Sequence, residues 1–215
     1  WIIQPAFETV RGFKKGLALA KINGKCGYID KNGNEVTEKQ VFVNNKLVYE
    51  TRVVPKFIPK PINPDTLIKD SIWILVDKSD YKLQVFYKKK LIRKYLAVFG
   101  PDRMQDKCRR GDRCTPEGWF TIVEKHESHL YNKFIGIDYP NDSTYMKRAE
   151  LIKKGKIKET DQPGDHVGIH GIWKKGNNLI EKKVGWTDGC IALRNEDIDE
   201  LYQFINKGIR IYIRK

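Results

Sequence analysis

Residues 166–197 read HVGIHGIWKKGNNLIEKKVGWTDGCIALRNED, the most informative stretch of the chain. It holds a His-Gly pair at His170 and a Thr-Asp-Gly-Cys run that ends at Cys190, with 16 residues between His170 and Thr187. A cysteine becomes a nucleophile when a nearby imidazole lowers the pKa of its thiol. Glycines beside such residues allow close approach and leave amides free to bind an oxyanion. The stretch predicts a Cys–His site, although residues of these types can also be unrelated core residues.

The same stretch resembles the signature of the L,D-transpeptidase (YkuD-type) catalytic domain. In that family His-Gly is followed by Ser/Thr-His-Gly-Cys and, shortly after, by Asn. Thr187, Gly189, Cys190 and Asn195 fall in register with this pattern. Asp188 stands in the place of the family's second His, and we interpret this departure as a difference in specificity.

Other segments extend the resemblance over about residues 72–215. TPEGWF at 115–120 resembles the family's turn before a strand, and DYPN at 138–141 resembles a segment of its murein-acting subgroup. The hairpin-like VDKSDYKLQVFYKKKLIRKYLAVFG, ending at Gly100, resembles its first strands. Ala192 stands where many members carry a substrate-binding Arg.

The resemblance implies a mechanism on peptidoglycan stem peptides. Cys190, activated by His170, would attack an L-to-D amide carbonyl to form a thioester, with the amides of Gly189 and Cys190 steadying the oxyanion. An amine acceptor then gives transpeptidation, and water gives L,D-carboxypeptidase or endopeptidase activity. No metal and no organic cofactor is implied. The alternative is a non-enzymatic cell-wall binding or assembly protein with a vestigial catalytic domain.

Further residues of the stretch are candidates for substrate contact. Trp173 and Trp186 bracket the loop before Cys190 and could wall a groove, or could simply pack. In an extended strand His166 would face the same side as His170, although a structural histidine is the alternative. Arg194 could hold a carboxylate or be a surface arginine. The complete substrate-binding prediction is Gly171, Trp173, Trp186, Thr187, Asp188, Arg194 and His166.

The N-terminal segment predicts a separate β module. Residues 16–36, GLALAKINGKCGYIDKNGNEV, resemble a WG repeat, with Cys26 in the usual place of the tryptophan. The turn signals Asn23-Gly24 and Asn32-Gly33 predict hairpins. We expect residues 1–50 to form a WG-repeat-like β module that could bind an envelope protein.

The remaining chain divides into a linker and a larger domain. Residues 51–70 contain Pro55, Pro59, Pro61 and Pro64, which predicts an extended linker. Residues 71–215 read as short strands with helices at 144–154 and after Asn195. The expected fold is mainly β with a few helices, namely a β-sandwich-like L,D-transpeptidase catalytic domain plus a small N-terminal β repeat module.

The charge and the hydropathy of the chain limit its possible binding partners and its possible cellular compartment. The formal charge is +14, with 11 Lys and Arg against 5 Asp and Glu in residues 1–60 and 30 against 22 in the remainder. This balance suits anionic polymers in general. Because no known nucleic-acid-binding pattern accompanies it, nucleic acid is not an expected partner.

No apolar run approaches the roughly 18 residues of a transmembrane helix, so none is expected. The chain starts at Trp1 and not at Met, which suggests that a segment able to hold a signal peptide or lipid anchor was removed. Together with the resemblance, this predicts an exported protein in the periplasm or cell envelope of a bacterium.

Two cysteines lie outside the Cys–His stretch at the ends of the loop CRRGDRC. Cys108 and Cys114 could form a disulfide in an oxidising compartment. A zinc site with His126 and His129 is the alternative, but the spacing matches no common ligand pattern. The expected metal content is none.

Overall fold

The protein is described by a computed structural model. The structure describes residues 71–215 throughout, and before them residues 9–10, 17–22, 25–30, 35–43, 46–54, 63 and 67–68. The chain separates into two compact units, residues 1–59 and residues 60–215. The predicted linker prolines and the side chain of Cys26 lie outside the described residues.

The described part of the first unit is an antiparallel meander in which each strand pairs with the next. This is the hairpin series that the Asn-Gly turns predict. Its strands are β1 (Thr9–Val10), β2 (Leu17–Ile22), β3 (Lys25–Asp30), β4 (Glu35–Val43) and β5 (Lys46–Val54).

The second unit contains eight strands and three helices among residues 71–215, so the prediction of a mainly β fold with a few helices is confirmed. The strands are β6 (Ile72–Asp77), β7 (Lys82–Tyr87), β8 (Lys90–Leu96), β9 (Gly118–Ser128), β10 (Asn132–Ile137), β11 (Gly168–His170), β12 (Ile191–Ala192) and β13 (Arg210–Arg214). The helices are α1 (Asp142–Lys153), α2 (Asn177–Glu181) and α3 (Asn195–Phe204).

The eight strands form one sheet in the order β12-β11-β10-β9-β13-β6-β7-β8. The sheet curls, because Val98 just beyond β8 pairs with Ala192 in β12 and so joins the two edges. Two hydrogen bonds make this closure: the Val98 amide donates to the Ala192 carbonyl at 2.9 Å, and the Ala192 amide donates back at 2.8 Å. The strand that follows Cys190 therefore has a partner on each side.

Alternation along the strands places the core inside the curl. Ile74 of β6, Val85 of β7, Ile211 of β13 and Phe120 of β9 point inward and are buried. Their sequence neighbours point outward, as expected for strands with one buried face. Helix α3 covers the core with Ile198, Leu201 and Phe204.

Helix α1 differs from its predicted form. Asn141 caps it through a capping box with Thr144, so the helix begins at Asp142, two residues before the predicted start at 144. Met146 is 72% exposed, while Arg148 is buried. The reason is that the Arg148 guanidinium donates to the carbonyls of Cys108 and Asp161, which attaches α1 to two loops through a polar face.

No helix among the described residues combines the length and the apolar character needed to cross a bilayer.

Candidate active site

The candidate base lies at the end of β11, and the candidate nucleophile directly precedes the parallel strand β12. In the β11–β12 pair, Ile169 is opposite Ile191 and His170 is opposite Ala192. The same register places Cys190 next to Gly168, two residues before His170. In a regular pair both side chains would project to one face, so the topology brings together two residues that are distant in sequence.

The hydrogen bonding of His170 fixes its tautomer. Nδ1 lies 2.6 Å from the carbonyl oxygen of Gly171, which can only accept, so Nδ1 carries the hydrogen. In the neutral ring Nε2 then keeps its lone pair and can take a proton. Burial lowers the pKa of His170 to about 4, against the opposing effect of this hydrogen bond. The imidazole is therefore an uncharged base at neutral pH.

Three aromatic side chains surround the His170 ring. Tyr131 lies at a ring-centroid distance of 4.8 Å, Trp186 at 5.5 Å in an edge arrangement, and Phe134 at 6.4 Å with nearly parallel planes. These rings exclude water and restrict rotation of the imidazole. They also explain the lowered pKa, because a charged ring would lose its hydration there.

Cys190 is half-buried and holds its proton. Its Sγ lies 3.4 Å from the carbonyl oxygen of His166, to which the thiol donates. Burial raises the pKa of the thiol to about 11. Within the described part of the chain no hydrogen bond joins this sulfur to the His170 ring. The free site thus holds a neutral thiol and a neutral imidazole, which differs from the expected imidazolium that lowers the pKa of the thiol, because burial penalises both charges.

The loop that carries Cys190 is organised by Thr187. Its hydroxyl donates to the carbonyl of Cys190 at 2.7 Å and accepts from the amide of Gly189 at 3.4 Å. Gly189 has a φ of +137°, and a β-carbon there would lie 2.7 Å from the carbonyl oxygen of Cys114. Position 189 therefore requires glycine for both conformation and space.

The buried side chain of Lys107 stabilises the loop that carries Cys190. Lys107 Nζ donates to the Asp188 carbonyl at 3.1 Å and forms an ion pair with Asp112 at 2.8 Å. Burial alone would raise the pKa of Asp112, but hydrogen bonds from the Arg109 amide, Lys107 and other neighbours lower it. The CRRGDRC loop is thus built around the Asp112 carboxylate and presents Lys107 to the segment that ends at Cys190.

The L,D-transpeptidase catalytic domain family (YkuD) matches residues 71–213. The chain belongs to this family. The WG-containing repeat family matches residues 1–26. Both resemblances seen in the sequence are confirmed, and the predicted enzyme class, L,D-transpeptidase-like, is that of the family.

Similar proteins carry related names. "Putative L,D-transpeptidase YqjB" of Bacillus subtilis is 28% identical over 144 residues, which cover 66% of this chain and 70% of that protein. An L,D-transpeptidase structure from Stackebrandtia nassauensis shares 14% identity at a TM-score of 0.45, covering 70% of this chain and 58% of that one. L,D-transpeptidase 1 of Mycobacterium tuberculosis shares 13% identity at a TM-score of 0.40, covering 67% and 62%. The chain therefore spans less than two thirds of these solved relatives.

In this L,D-transpeptidase-family domain, the two predicted groove tryptophans are close together. Trp173 and Trp186 have ring centroids 5.1 Å apart, and Trp173 is 44% exposed. The indole nitrogen of Trp186 is buried without a hydrogen-bond partner among the described residues. Trp173 therefore offers a ring to solvent, with Trp186 between it and His170.

The charged candidate residues differ in whether their side chains are free to contact a substrate. The Asp188 side chain is 86% exposed and lies 3.5 Å from Arg113, so it borders the site from outside. Arg194 already forms two hydrogen bonds with Asp197, at 2.8 and 3.0 Å, which occupy its guanidinium. His166 precedes the short strand β11, with a φ of +52°, and its exposed ring pairs with Asp165. Because the strand does not extend to position 166, the expected alignment with His170 does not occur.

Gly171 and Asn195 lie against each other and fix the backbone that follows His170. A β-carbon at Gly171 would lie 2.5 Å from Asn195 Oδ1, which accepts the amide of Ile172 at 3.0 Å. Asn195 is the first residue of α3, and its side chain holds the segment after His170 instead of capping the helix. Arg194 is the N-cap residue.

Cys108, Cys114 and Cys190 are free thiols, so the suggested Cys108–Cys114 disulfide is absent from this structure. Among the residues described here, no group of three or more His, Cys, Asp or Glu side chains is arranged to hold a metal ion.

Proposed function

We propose that residues 71–215 form a cysteine acyltransferase that cleaves an L-to-D amide bond in peptidoglycan stem peptides through a thioester on Cys190. The observation that carries the proposal is the β11–β12 pairing, which brings the strand that begins directly after Cys190 alongside the strand that ends at His170. Family membership supports the substrate class.

The protonation states favour general-base attack. As the Cys190 sulfur approaches the substrate carbonyl, His170 Nε2 takes the thiol proton, so neither group is charged before substrate binds. The carbon–sulfur bond forms, and the carbonyl electrons move to the oxygen. The amides of Gly189 and Cys190 would stabilise this oxyanion once the long contact between Gly189 and Thr187 is exchanged for it.

Collapse of the tetrahedral intermediate completes the first half-reaction. The carbonyl re-forms, the amide C–N bond breaks, and the imidazolium returns its proton to the leaving D-amino acid. An acceptor amine or water then attacks the thioester with His170 again acting as base, giving a cross-link or hydrolysis. Trp173, Trp186, Thr187, Asp188, Arg194, His166 and Gly171 remain the proposed substrate-side residues.

The proposed activity also implies where the protein is located and what it contacts. A domain acting on stem peptides works outside the cytoplasm, so we place this protein in the periplasm or cell envelope. The WG-repeat module would contact an envelope protein there.

Incubation with purified disaccharide-tetrapeptides followed by mass spectrometry tests the reaction and names the acceptor. Loss of the D-amino acid and a covalent intermediate on Cys190 are expected, and Cys190→Ala should abolish both. Cys108→Ala serves as the matched control and should retain the intermediate. Absence of any adduct on Cys190, with stem peptides or with an electrophilic carbapenem, would contradict the proposal and favour a non-enzymatic wall-binding protein.

A further inference from the structure

Four aromatic side chains form a continuous strip on the outer face of the sheet, away from Cys190. Phe86 of β7 stacks on Trp73 of β6 at 4.5 Å, Trp73 lies 6.3 Å from Trp119 of β9, and Trp119 lies 4.9 Å from Tyr212 of β13. We name these four residues the outer aromatic strip. The strands β10 and β11 separate it from the nucleophile strand.

The strip is on the solvent side of strands whose other face forms the core. Pairing of Trp73 with Phe86 and of Trp119 with Tyr212 places each pair on one face, while Ile74 and its inward neighbours are buried. Trp119 is 45% exposed. Trp73, Phe86 and Tyr212 are partly buried, and a row of aromatic rings that reach solvent on a sheet face marks a contact site.

A groove of about 630 Å³ runs beside Trp73 and Trp119 and is lined by cations. Lys88, Lys207 and Arg210 contribute side chains, and no Asp or Glu is among the groove's described lining residues. Arg210 lies 4.3 Å over the Trp119 ring. None of the three cations forms an ion pair with a carboxylate among the described residues.

Charge complementarity selects among possible occupants of this surface. A second copy of the chain would bring a charge of +14. It would meet the cationic groove with charge of the same sign. An anionic ligand with flat apolar faces fits both the strip and the groove.

We propose that the outer aromatic strip binds peptide-free stretches of the glycan strand of peptidoglycan. Hexopyranose rings present flat C–H faces that stack on indole and phenyl rings, and the lactyl carboxylates, which are free only where no stem peptide is attached, would meet Lys88, Lys207 and Arg210. The identity of the polymer rests on the proposed function. Binding there would hold the enzyme on the wall while stem peptides enter a different site.

The test uses the full chain and peptide-free glycan strands, prepared by amidase treatment so that no stem peptide remains. Binding is measured by isothermal titration calorimetry at several salt concentrations. Trp119→Ala should weaken binding about tenfold through loss of a stacking ring. The double variant Lys207→Gln/Arg210→Gln should weaken binding and flatten its salt dependence.

Matched controls distinguish this site from general effects. Tyr145→Ala removes an exposed aromatic group from α1, and Lys153→Gln/Lys158→Gln removes two exposed charges elsewhere; both should bind as the parent does. Carbapenem acylation of Cys190 should be unchanged in all these variants, so failure of glycan binding and failure of the proposed function give different results.

Three outcomes would overturn the inference. The first is glycan binding that is absent from the parent or unaffected by Trp119→Ala. The second is tighter binding of single-stranded homopolymeric nucleic acid than of glycan, lost in the same variants. The third is a large fall in melting temperature for Trp119→Ala without any change in glycan binding, which would show that the strip packs against protein.

Discussion

The two residues at the centre of the site, Cys190 and His170, owe their protonation states to burial. The pKa of the thiol is raised to about 11 and that of the imidazole is lowered to about 4. An ion pair of the kind found in many cysteine enzymes would require two charges in a site lined by Tyr131, Phe134 and Trp186. A neutral pair leaves the proton on sulfur until an acyl group arrives, which protects the thiol from unspecific electrophiles.

Alkylation of Cys190 by iodoacetamide tests this neutral pair. Because only the thiolate reacts, the rate should rise about tenfold per pH unit above pH 7 and level off only near pH 11. Peptide mass spectrometry localises the label and separates it from the other cysteines. A rate that is already constant between pH 6 and 8 would instead show a thiolate–imidazolium pair.

Thr187 is expected to set the rate through the geometry of the loop. Thr187→Val removes the hydroxyl that binds the Cys190 carbonyl and the Gly189 amide, so thioester formation should slow about tenfold. Thr187→Ser keeps the hydroxyl and is the matched control, with a rate near that of the parent. Stopped-flow measurement of acylation by a carbapenem gives both rates, and equal rates for the two variants would exclude this role.

At the scale of elements, the CRRGDRC loop and the Cys190 loop act as one unit through Lys107. Lys107→Met leaves the buried Asp112 carboxylate unpaired and should cost roughly 3–5 kcal/mol of stability. In the double variant Lys107→Met/Asp112→Asn the unpaired charge is gone while a side-chain oxygen still accepts backbone amides of the loop, so much of the stability should return while acylation stays slow. Thermal melting and acylation rates together check this, with exposed Lys156→Met as control. Full recovery of the rate in the double variant would show that Lys107 serves stability alone.

The sequence predicts the strands of the second unit well, because alternating apolar residues from Ile72 onward define one buried face. It also predicts the residues Cys190 and His170, through motif spacing. It does not predict Lys107 or Tyr131, because their roles depend on loops that meet only in the folded chain. Nor does it predict the polar attachment of α1 by Arg148, since a buried arginine that donates to carbonyls has the sequence appearance of a surface residue.

For the molecule as a whole, the buried imidazole makes stability depend on pH. The unfolded chain protonates His170 near its ordinary pKa of 6.5, whereas the folded chain protonates it only near 4. Between these values the unfolded state binds more protons, so the free energy of unfolding should fall by roughly 3 kcal/mol as the pH drops from 6.5 to 4. Urea denaturation at a series of pH values measures this, and His170→Gln should lack this part of the slope. An equal slope in both proteins would contradict the neutral assignment.

The two-residue strand after Cys190 is the seam at which the curled sheet is fastened, with Val98 on one side and the strand of His170 on the other. An acyl group on the sulfur would be attached only two residues from Ala192, whose backbone forms both hydrogen bonds of this seam to Val98. The backbone amide resonance of Val98, a residue with no part in the proposed chemistry, should therefore shift when Cys190 is acylated and so report the acyl-enzyme.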